Sequence, residues 1–336
     1  MGIGLATLLA ASSLQPASNS DPALEAYARP QRLVEVAPGR RMHILCQGEG
    51  SPAVILTAGL GQWSIAWSPV QSRIAETIRV CAWDRAGFGF SDASAAPQTL
   101  ERTTGDLVRL LESAGIAGPY VLVGHSAGGF ESMMVADRHP GRVAGMVLVD
   151  STIPDQERLT REAAPAMAAY YRQVEAAQAA GMRRCIAGMR RGAPAPAGCL
   201  DYPPAWPETL RRSLARLDAD PARFATALSL FEYYWSGAAG RAMIDPRRSY
   251  GAMPLIVLTA GERVPLAGAP ADALAQYPAL TASWYRTHDA LAALSTRGVN
   301  RIVAGAGHSI QRHRPEIVVA AVREVVAAAR ASPRRR

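Results

Sequence analysis

The 336-residue chain contains no lysine, so all 36 of its basic residues other than histidine are arginines. This absence excludes a Schiff-base lysine and the lysine of a phosphate-binding loop. The arginines outnumber the 28 acidic residues and give a net charge of +8, but apart from Arg334 to Arg336 they are scattered. No stretch interleaves basic with aromatic residues, so the sequence favours a solvated basic surface over a nucleic-acid interface.

Long apolar runs are also lacking. The stretch from Gly2 to Leu14 is too short to cross a bilayer, which takes about 20 residues, and we expect no stable membrane span. Small polar residues follow it, as in the hydrophobic and cleavage regions of an export signal, although a basic start is missing. We therefore expect a periplasmic or secreted protein, with a cytoplasmic location as the alternative. We expect residues 1–25 to be a signal-like or disordered N-terminus and residues 331–336 to be a basic tail that frays.

Cysteine is scarce: there are four, and none is in C-x-x-C spacing, which argues against a metal site. An even number suits an oxidising compartment. Cys46 and Cys81 fall in two apolar runs and could bridge two strands of one sheet. Cys185 and Cys199 flank the Gly/Pro-rich residues 192–198 and could close that loop. The alternative is four buried free thiols in a cytosolic protein.

Short runs of β-branched and aliphatic residues alternate with helical patterns, which predicts an α/β fold with a mainly parallel central sheet flanked by helices. The first two runs are close enough to form an antiparallel hairpin. Between residues 151 and 250 the rhythm gives way to helical segments, which we interpret as an inserted helical cap between core segments 26–150 and 251–330. The predicted strands are 33–36, 42–46, 53–57, 80–83, 120–123, 146–149, 255–259 and 301–303, and the predicted helices 65–77, 100–113, 129–139 and 315–329.

The most informative segment is Gly124-His125-Ser126-Ala127-Gly128, which lies between the strand 120–123 and a helical pattern. In this context Gly-x-Ser-x-Gly forms a sharp turn that presents the serine at the carboxyl edge of a sheet. Ser126 is therefore the predicted nucleophile. The start of the following helix offers unpaired N–H groups to a developing oxyanion.

A serine nucleophile needs a histidine base, and the base needs a carboxylate to orient it. Of six histidines, His308 fits best because it follows the last predicted strand in a glycine-rich loop. Asp150 directly ends the strand 146–149 and is the favoured acid. Glu262 is the alternative acid, with Asp155 behind it, and Asp150 could instead cap the next helix. We assign His125 to packing or the pocket floor; the remaining histidines, His43, His139, His288 and His313, are expected to be structural.

Charge that develops in the transition state requires hydrogen-bond donors. The main-chain N–H of Ala127, next to the nucleophile, is one expected donor. The second is the N–H of Leu60, in the glycine-containing segment 58–61 after the third predicted strand. The alternative for this segment is an ordinary glycine turn.

Over about residues 33 to 330 the chain resembles the α/β-hydrolase superfamily. Besides the Ser126 motif, residues 83–92 look like that family's D-R-x-G-x-G-x-S turn, in which Asp84 and Arg85 would fix loops beneath the site. The chain departs from the family by having Ala58 before Gly59, where histidine is common, and Val264 where the acid often lies. The second departure implies that the acid has moved to Asp150. The Cys46 and Cys81 pair is similar to that of exported bacterial members.

The resemblance implies a serine hydrolase that cleaves a small-molecule ester or lactone through an acyl-enzyme, with no cofactor and no metal. A serine at position 126 argues against epoxide hydrolase and haloalkane dehalogenase chemistry, which uses an aspartate there in related branches. Two alternatives remain: a ligand-binding, receptor-like protein without turnover, and a lipase that acts at a lipid surface. The pattern does not fix the substrate or the oligomeric state.

Overall fold

The computed structural model describes residues 22–190 and 195–331, which build a twisted eight-stranded sheet in the order β1-β2-β4-β3-β5-β6-β7-β8. β2 is antiparallel to both of its neighbours, and the remaining pairs are parallel. All eight predicted strands are confirmed, and the observed ones extend at most three residues beyond the predicted bounds. They are β1 (Arg32–Ala37), β2 (Arg40–Gln47), β3 (Ala53–Thr57), β4 (Val80–Trp83), β5 (Tyr120–His125), β6 (Val143–Val149), β7 (Leu255–Ala260) and β8 (Gly298–Val303).

Helices follow most strands and cover both faces of this sheet. The predicted helix 100–113 has the observed bounds, whereas the predicted helix 65–77 is a 3-10 turn (Ser64–Trp67) followed by an α-helix. The α-helices are α1 (Pro22–Glu25), α2 (Ser68–Ala75), α3 (Leu100–Ser113), α4 (Ala127–Arg138), α5 (Gln156–Ala163), α6 (Pro165–Arg190), α7 (Glu208–Asp218), α8 (Pro221–Trp235), α9 (Ala238–Ala242), α10 (Ala271–Ala292), α11 (Ile310–His313) and α12 (Pro315–Ala331).

The central strands are continuously apolar because both of their faces are buried. In β5, for example, Leu122 packs with α3 and α4, while Val121 and Val123 pack with α2 and α12 on the opposite face. Each face thus has its own hydrophobic core. The sheet is a rigid support whose carboxyl edge carries the loops described below.

Helices α5 to α9 lie between β6 and β7, in the region where the sequence predicts a helical insertion. One anchor of this insertion is Arg223 of α8, whose buried guanidinium donates a 2.6 Å hydrogen bond to the carbonyl oxygen of Gly89 in the turn after β4. Arg223 also pairs with Asp218 at 3.0 Å. The Gly89 contact ties the insertion to the carboxyl edge of the sheet, and the Asp218 contact, within the insertion, holds Arg223 in place.

Both cysteine pairs suggested by the sequence are disulfides in the structure. Cys46 of β2 joins Cys81 of β4, and Cys185 of α6 joins Cys199. No helix within residues 22–190 and 195–331 is both long enough and apolar enough to span a bilayer. The apolar residues 2–14 and residues 332–336 of the basic tail lie outside the described residues, as do residues 191–194 at the start of the Gly/Pro-rich loop.

Candidate active site

Ser126 lies at a sharp turn between β5 and α4, with φ 51° and ψ −123°. Two close contacts explain the glycines around it. A Cβ on Gly124 would lie 2.3 Å from the Gly128 carbonyl oxygen, and a Cβ on Gly128 would lie 2.3 Å from the Thr57 carbonyl oxygen. Only glycine fits at these two positions, so the motif forces Ser126 into its strained conformation.

Asp150 follows β6 directly, is fully buried, and has an unusual φ of 39°. Four groups surround its carboxylate. Oδ1 accepts hydrogen bonds from the Ala260 N–H at 3.0 Å and from Trp284 Nε1 at 3.1 Å. Oδ2 lies 2.6 Å from His308 Nδ1 and 3.5 Å from a terminal nitrogen of Arg263. A carboxylate so fully bonded has one fixed orientation.

The surroundings of Asp150 also set its charge. Burial alone would raise the pKa of Asp150, but the hydrogen bond from His308 and the positive charge of Arg263 lower the pKa below its usual range. Arg263 is held in place because its guanidinium stacks on Trp284, 4.3 Å from the ring centroid. Asp150 is therefore an ionised acceptor for the His308 ring at neutral pH.

His308 lies in the loop between β8 and α11, and its side chain is 54% exposed. The structure brings His308 to Asp150 rather than to either alternative acid. Glu262 is exposed and forms no hydrogen bond or ion pair with His308. Asp155 pairs instead with Arg158 at the start of α5.

Ser126 and His308 are linked indirectly at the same edge of the sheet, through Val149 and Asp150 at the end of β6. The Ser126 N–H donates to the Val149 carbonyl oxygen at 3.1 Å, one residue before Asp150, which bonds His308. Within the described part of the chain, Ser126 Oγ forms no hydrogen bond, so the serine hydroxyl and the His308 ring are not hydrogen-bonded in this structure. Such contacts are often long in unliganded enzymes and tighten when substrate binds.

His125 has a more specific role than packing. Its Nε2 lies 3.0 Å from the His308 carbonyl oxygen, and its Nδ1 lies 3.1 Å from Gln62 Oε1. Burial lowers the pKa of His125 to about 3, so the ring is neutral. The sequence does not predict this tether, because its ends are 183 residues apart.

Of the two predicted oxyanion donors, Leu60 lies in the loop after β3 and Ala127 begins α4, directly after Ser126. The N–H groups of Leu60 and Ala127 donate to no acceptor among the described residues, as expected at a loop and at the first position of a helix. Buried Arg85 fixes the first of these segments by donating to the carbonyl oxygens of Ala58 at 2.6 Å and Gly59 at 2.9 Å. Arg85 is in turn paired with buried Glu131 of α4.

The other predicted structural residues lie away from the serine or serve to hold loops. Asp84 binds the His43 ring at 2.7 Å and accepts from the N–H groups of Ser64 at 2.8 Å and Phe90 at 3.0 Å. His288 within α10 is buried and contacts the Ser151 carbonyl oxygen at 3.0 Å. His139 caps the carboxyl end of α4, and His313 accepts the N–H of Gly307 at 3.0 Å.

Comparison with known proteins agrees with this architecture. Residues 52–184 match the model of a family described as having the alpha/beta hydrolase fold. Lipase LipV of Mycobacterium tuberculosis is 35% identical over 129 residues, which are 38% of this chain and 48% of that lipase. The chain spans less than half the length of the curated relatives it matches.

Solved structures match over nearly the whole described chain. A thermophilic esterase from Thermogutta terrifontis superposes with a TM-score of 0.55 at 20% identity, over 90% of this chain and 99% of its own. A meta-cleavage product hydrolase from Pseudomonas fluorescens gives a TM-score of 0.55 at 17% identity, over 89% of this chain and 98% of its own. At these identities the likeness establishes the fold, and the chemistry must be argued from the site.

Proposed function

Because this chain has the α/β-hydrolase fold, we propose that it is a serine hydrolase that cleaves a carboxylic ester or a lactone through an acyl-enzyme on Ser126. The observation that carries the proposal is the 2.6 Å hydrogen bond between His308 and buried Asp150, formed at the sheet edge where Ser126 is held in a strained turn. The names of the matched lipase and esterase support hydrolysis as the reaction type.

In the proposed first step, His308 Nε2 takes the proton of Ser126 Oγ as the oxygen attacks the carbonyl carbon of the substrate. Asp150 holds the His308 ring with its Nδ1–H toward the carboxylate, so Nε2 is the free acceptor. The Asp150 carboxylate also stabilises the imidazolium that forms. The tetrahedral intermediate then collapses, and His308 returns the proton to the leaving alcohol. In the second step, His308 deprotonates a water that attacks the acyl-enzyme. The acyl–Oγ bond then breaks, the carboxylic acid leaves, and His308 returns the proton to Ser126 Oγ.

The negative charge on the carbonyl oxygen would be stabilised by the N–H groups of Leu60 and Ala127. Both are free to donate, and Arg85 fixes the Leu60 segment through its two preceding carbonyl groups. Losing one donor of this kind typically costs about 100- to 1000-fold in rate. The helical insertion would act as a cap over this edge, and Tyr234 of α8 already reaches the Ala127 carbonyl oxygen at 3.3 Å.

The test compares turnover of p-nitrophenyl acetate and butyrate by the wild type, Ser126→Ala, and Ser72→Ala, which removes an exposed hydroxyl on α2. We expect Ser126→Ala to lose at least about 1000-fold in kcat and Ser72→Ala to match the wild type. Mass spectrometry of the quenched wild type should find the acyl group on Ser126. Equal rates for Ser126→Ala and the wild type would contradict the proposal.

The second candidate is ligand capture without turnover, because the same fold can carry binding as well as catalysis. A fluorophosphonate probe separates the two functions. Stoichiometric labelling of Ser126 with no turnover on a broad ester and lactone panel would support the ligand-binding protein. Labelling accompanied by turnover supports the hydrolase.

Two exposed apolar side chains favour the lipid-surface variant of the hydrolase. Val264 is 78% exposed and Leu266 is 39% exposed, in the loop after β7 that also carries Arg263. A lipase of this kind would be activated sharply when its ester substrate forms droplets, whereas a soluble esterase follows the dissolved concentration. Replacing both residues with serine should remove such activation and leave the hydrolysis of p-nitrophenyl acetate unchanged.

A further inference from the structure

A cavity separate from the proposed catalytic groups lies between the helical insertion and the loops after β3 and β4. Its empty volume, including the open mouth, is about 700 Å³, and most of this space lies close to the walls, so the cavity is narrow. Gly61 and Gln62, directly after Leu60, form part of its wall, but neither Ser126 nor His308 lines it. The cavity therefore adjoins the proposed catalytic site but is not part of it.

The body of this cavity is apolar and aromatic. Trp63, Phe88, Leu214 and Phe224 line it and are each at most 8% exposed. Trp206 completes the wall and meets Trp63 edge to face, with ring centroids 6.1 Å apart. A narrow slot of this kind suits an unbranched alkyl chain or a single aromatic ring.

The lining of the cavity also includes a cation without a counter-ion. Arg312 of α11 lines the cavity and is partly buried, yet its guanidinium forms no hydrogen bond or ion pair with any residue that the structure describes. Burial lowers the pKa of Arg312, and no carboxylate offsets that effect. Desolvating a guanidinium without a partner is costly, and a bound carboxylate would remove the cost through charge-assisted hydrogen bonds.

The two acidic residues that line the cavity do not take this role. Asp218 is already satisfied, because Arg223 Nε lies 3.0 Å from it and the Tyr202 hydroxyl donates to it at 2.8 Å. Asp201 is exposed, so water solvates its charge. The uncompensated charge of the cavity is thus positive and lies on Arg312.

We propose that this cavity is a binding site for an amphiphilic monocarboxylate, with the carboxylate on Arg312 and the alkyl or aryl body between Trp63, Trp206 and Phe224. The site does not depend on the proposed serine chemistry. A ligand on Arg312 would nevertheless lie next to the loop of the proposed base. Helix α11 continues directly from the His308 loop, and the Arg312 N–H donates to the Ser309 carbonyl oxygen at 2.9 Å. The charge of Arg312 also contributes to the lowered pKa of His125, which holds that same loop.

The experiment measures binding of octanoate by calorimetry to Ser126→Ala protein, in which no turnover can occur. Octan-1-ol, which has the same chain without the charge, is the matched neutral ligand. Into this background we introduce Arg312→Gln, Trp206→Ala, and Arg286→Gln, which removes an exposed arginine of α10. Far-ultraviolet circular dichroism checks that each variant is folded.

We expect Arg312→Gln to weaken octanoate binding by about ten-fold or more and to leave octan-1-ol binding unchanged. Trp206→Ala should weaken both ligands equally, and Arg286→Gln should affect neither. The proposal is overturned by octanoate binding that Arg312→Gln does not change, or by the absence of binding to folded Ser126→Ala protein up to about 10 mM octanoate. Because every arm uses Ser126→Ala, failure of the serine mechanism cannot be mistaken for failure of this site.

Discussion

His125 holds the main chain of His308: its Nε2 lies 3.0 Å from the His308 carbonyl oxygen. The two rings are also in contact, with centroids 4.7 Å apart. Since the His125 ring is neutral, it has one N–H, and the His308 carbonyl oxygen, which can only accept, takes it. The residue beside the proposed nucleophile thereby positions the proposed base.

Removing this tether should weaken the proposed chemistry without unfolding the chain. We expect His125→Ala to slow fluorophosphonate labelling of Ser126 by about 10- to 100-fold, because small displacements of a base cost rates of this order. His125→Gln, whose amide N–H can still reach the carbonyl, should recover part of the rate. His139→Ala, at the end of α4, is the control. An unchanged labelling rate in folded His125→Ala would show that the tether is dispensable.

The turn at Ser126 should tolerate no side chain at Gly128. Because a Cβ there would lie 2.3 Å from the Thr57 carbonyl oxygen, we expect Gly128→Ala to lower the free energy of unfolding by about 3 kcal/mol. The matched control is Gly141→Ala, where a Cβ would have no neighbour within 4 Å. Urea denaturation compares the two variants. Equal stability of Gly128→Ala and Gly141→Ala would mean that the turn relaxes around the added methyl group.

Glu175 of α6 should make the fold less stable as the pH rises. Burial, with the nearby negative charge of Glu157, raises the pKa of Glu175 to about 7. The folded chain therefore binds this proton more tightly than the unfolded chain, in which the pKa is about 4.3. The resulting stabilisation is complete below the unfolded pKa and is lost as the pH rises through about 7.

Glu175→Gln removes this dependence, so its thermal midpoint should exceed that of the wild type at about pH 8 and equal it at about pH 4. Glu49→Gln, in the exposed turn after β2, should follow the wild type throughout. Thermal unfolding followed by circular dichroism measures all three proteins. A parallel pH profile for Glu175→Gln and the wild type would place the ionisation of Glu175 outside this range.

The sequence predicts the sheet well because its strands are short apolar runs bounded by turns. Helix α3 is delimited equally well, since Thr99 caps its start and its apolar residues recur at helical spacing. In contrast, α10 is not delimited by the pattern: it is rich in alanine and contains Pro278, which normally ends a helix. Contacts with α5, α6, β7 and β8 maintain it instead.

For the candidate site, strand ends predict the positions of Ser126, Asp150 and His308, because the carboxyl ends of parallel strands share one edge of the sheet. Their supporting contacts are not predictable in this way. Trp284 reaches Asp150 across 134 residues of sequence, and Arg263 reaches it across 113. Such pairs depend on how helices and loops pack, which local periodicity does not encode.

The disulfide between Cys46 and Cys81 joins directly opposed residues of β2 and β4. It therefore spans the line at which the antiparallel hairpin of β1 and β2 meets the parallel strands. If the hairpin separates from the sheet, by thermal fluctuation or by force on the preceding chain, the disulfide still keeps β2 attached to β4. Local unfolding that begins in the hairpin is thereby kept from spreading to β3 and β5, which are followed by Leu60 and Ser126.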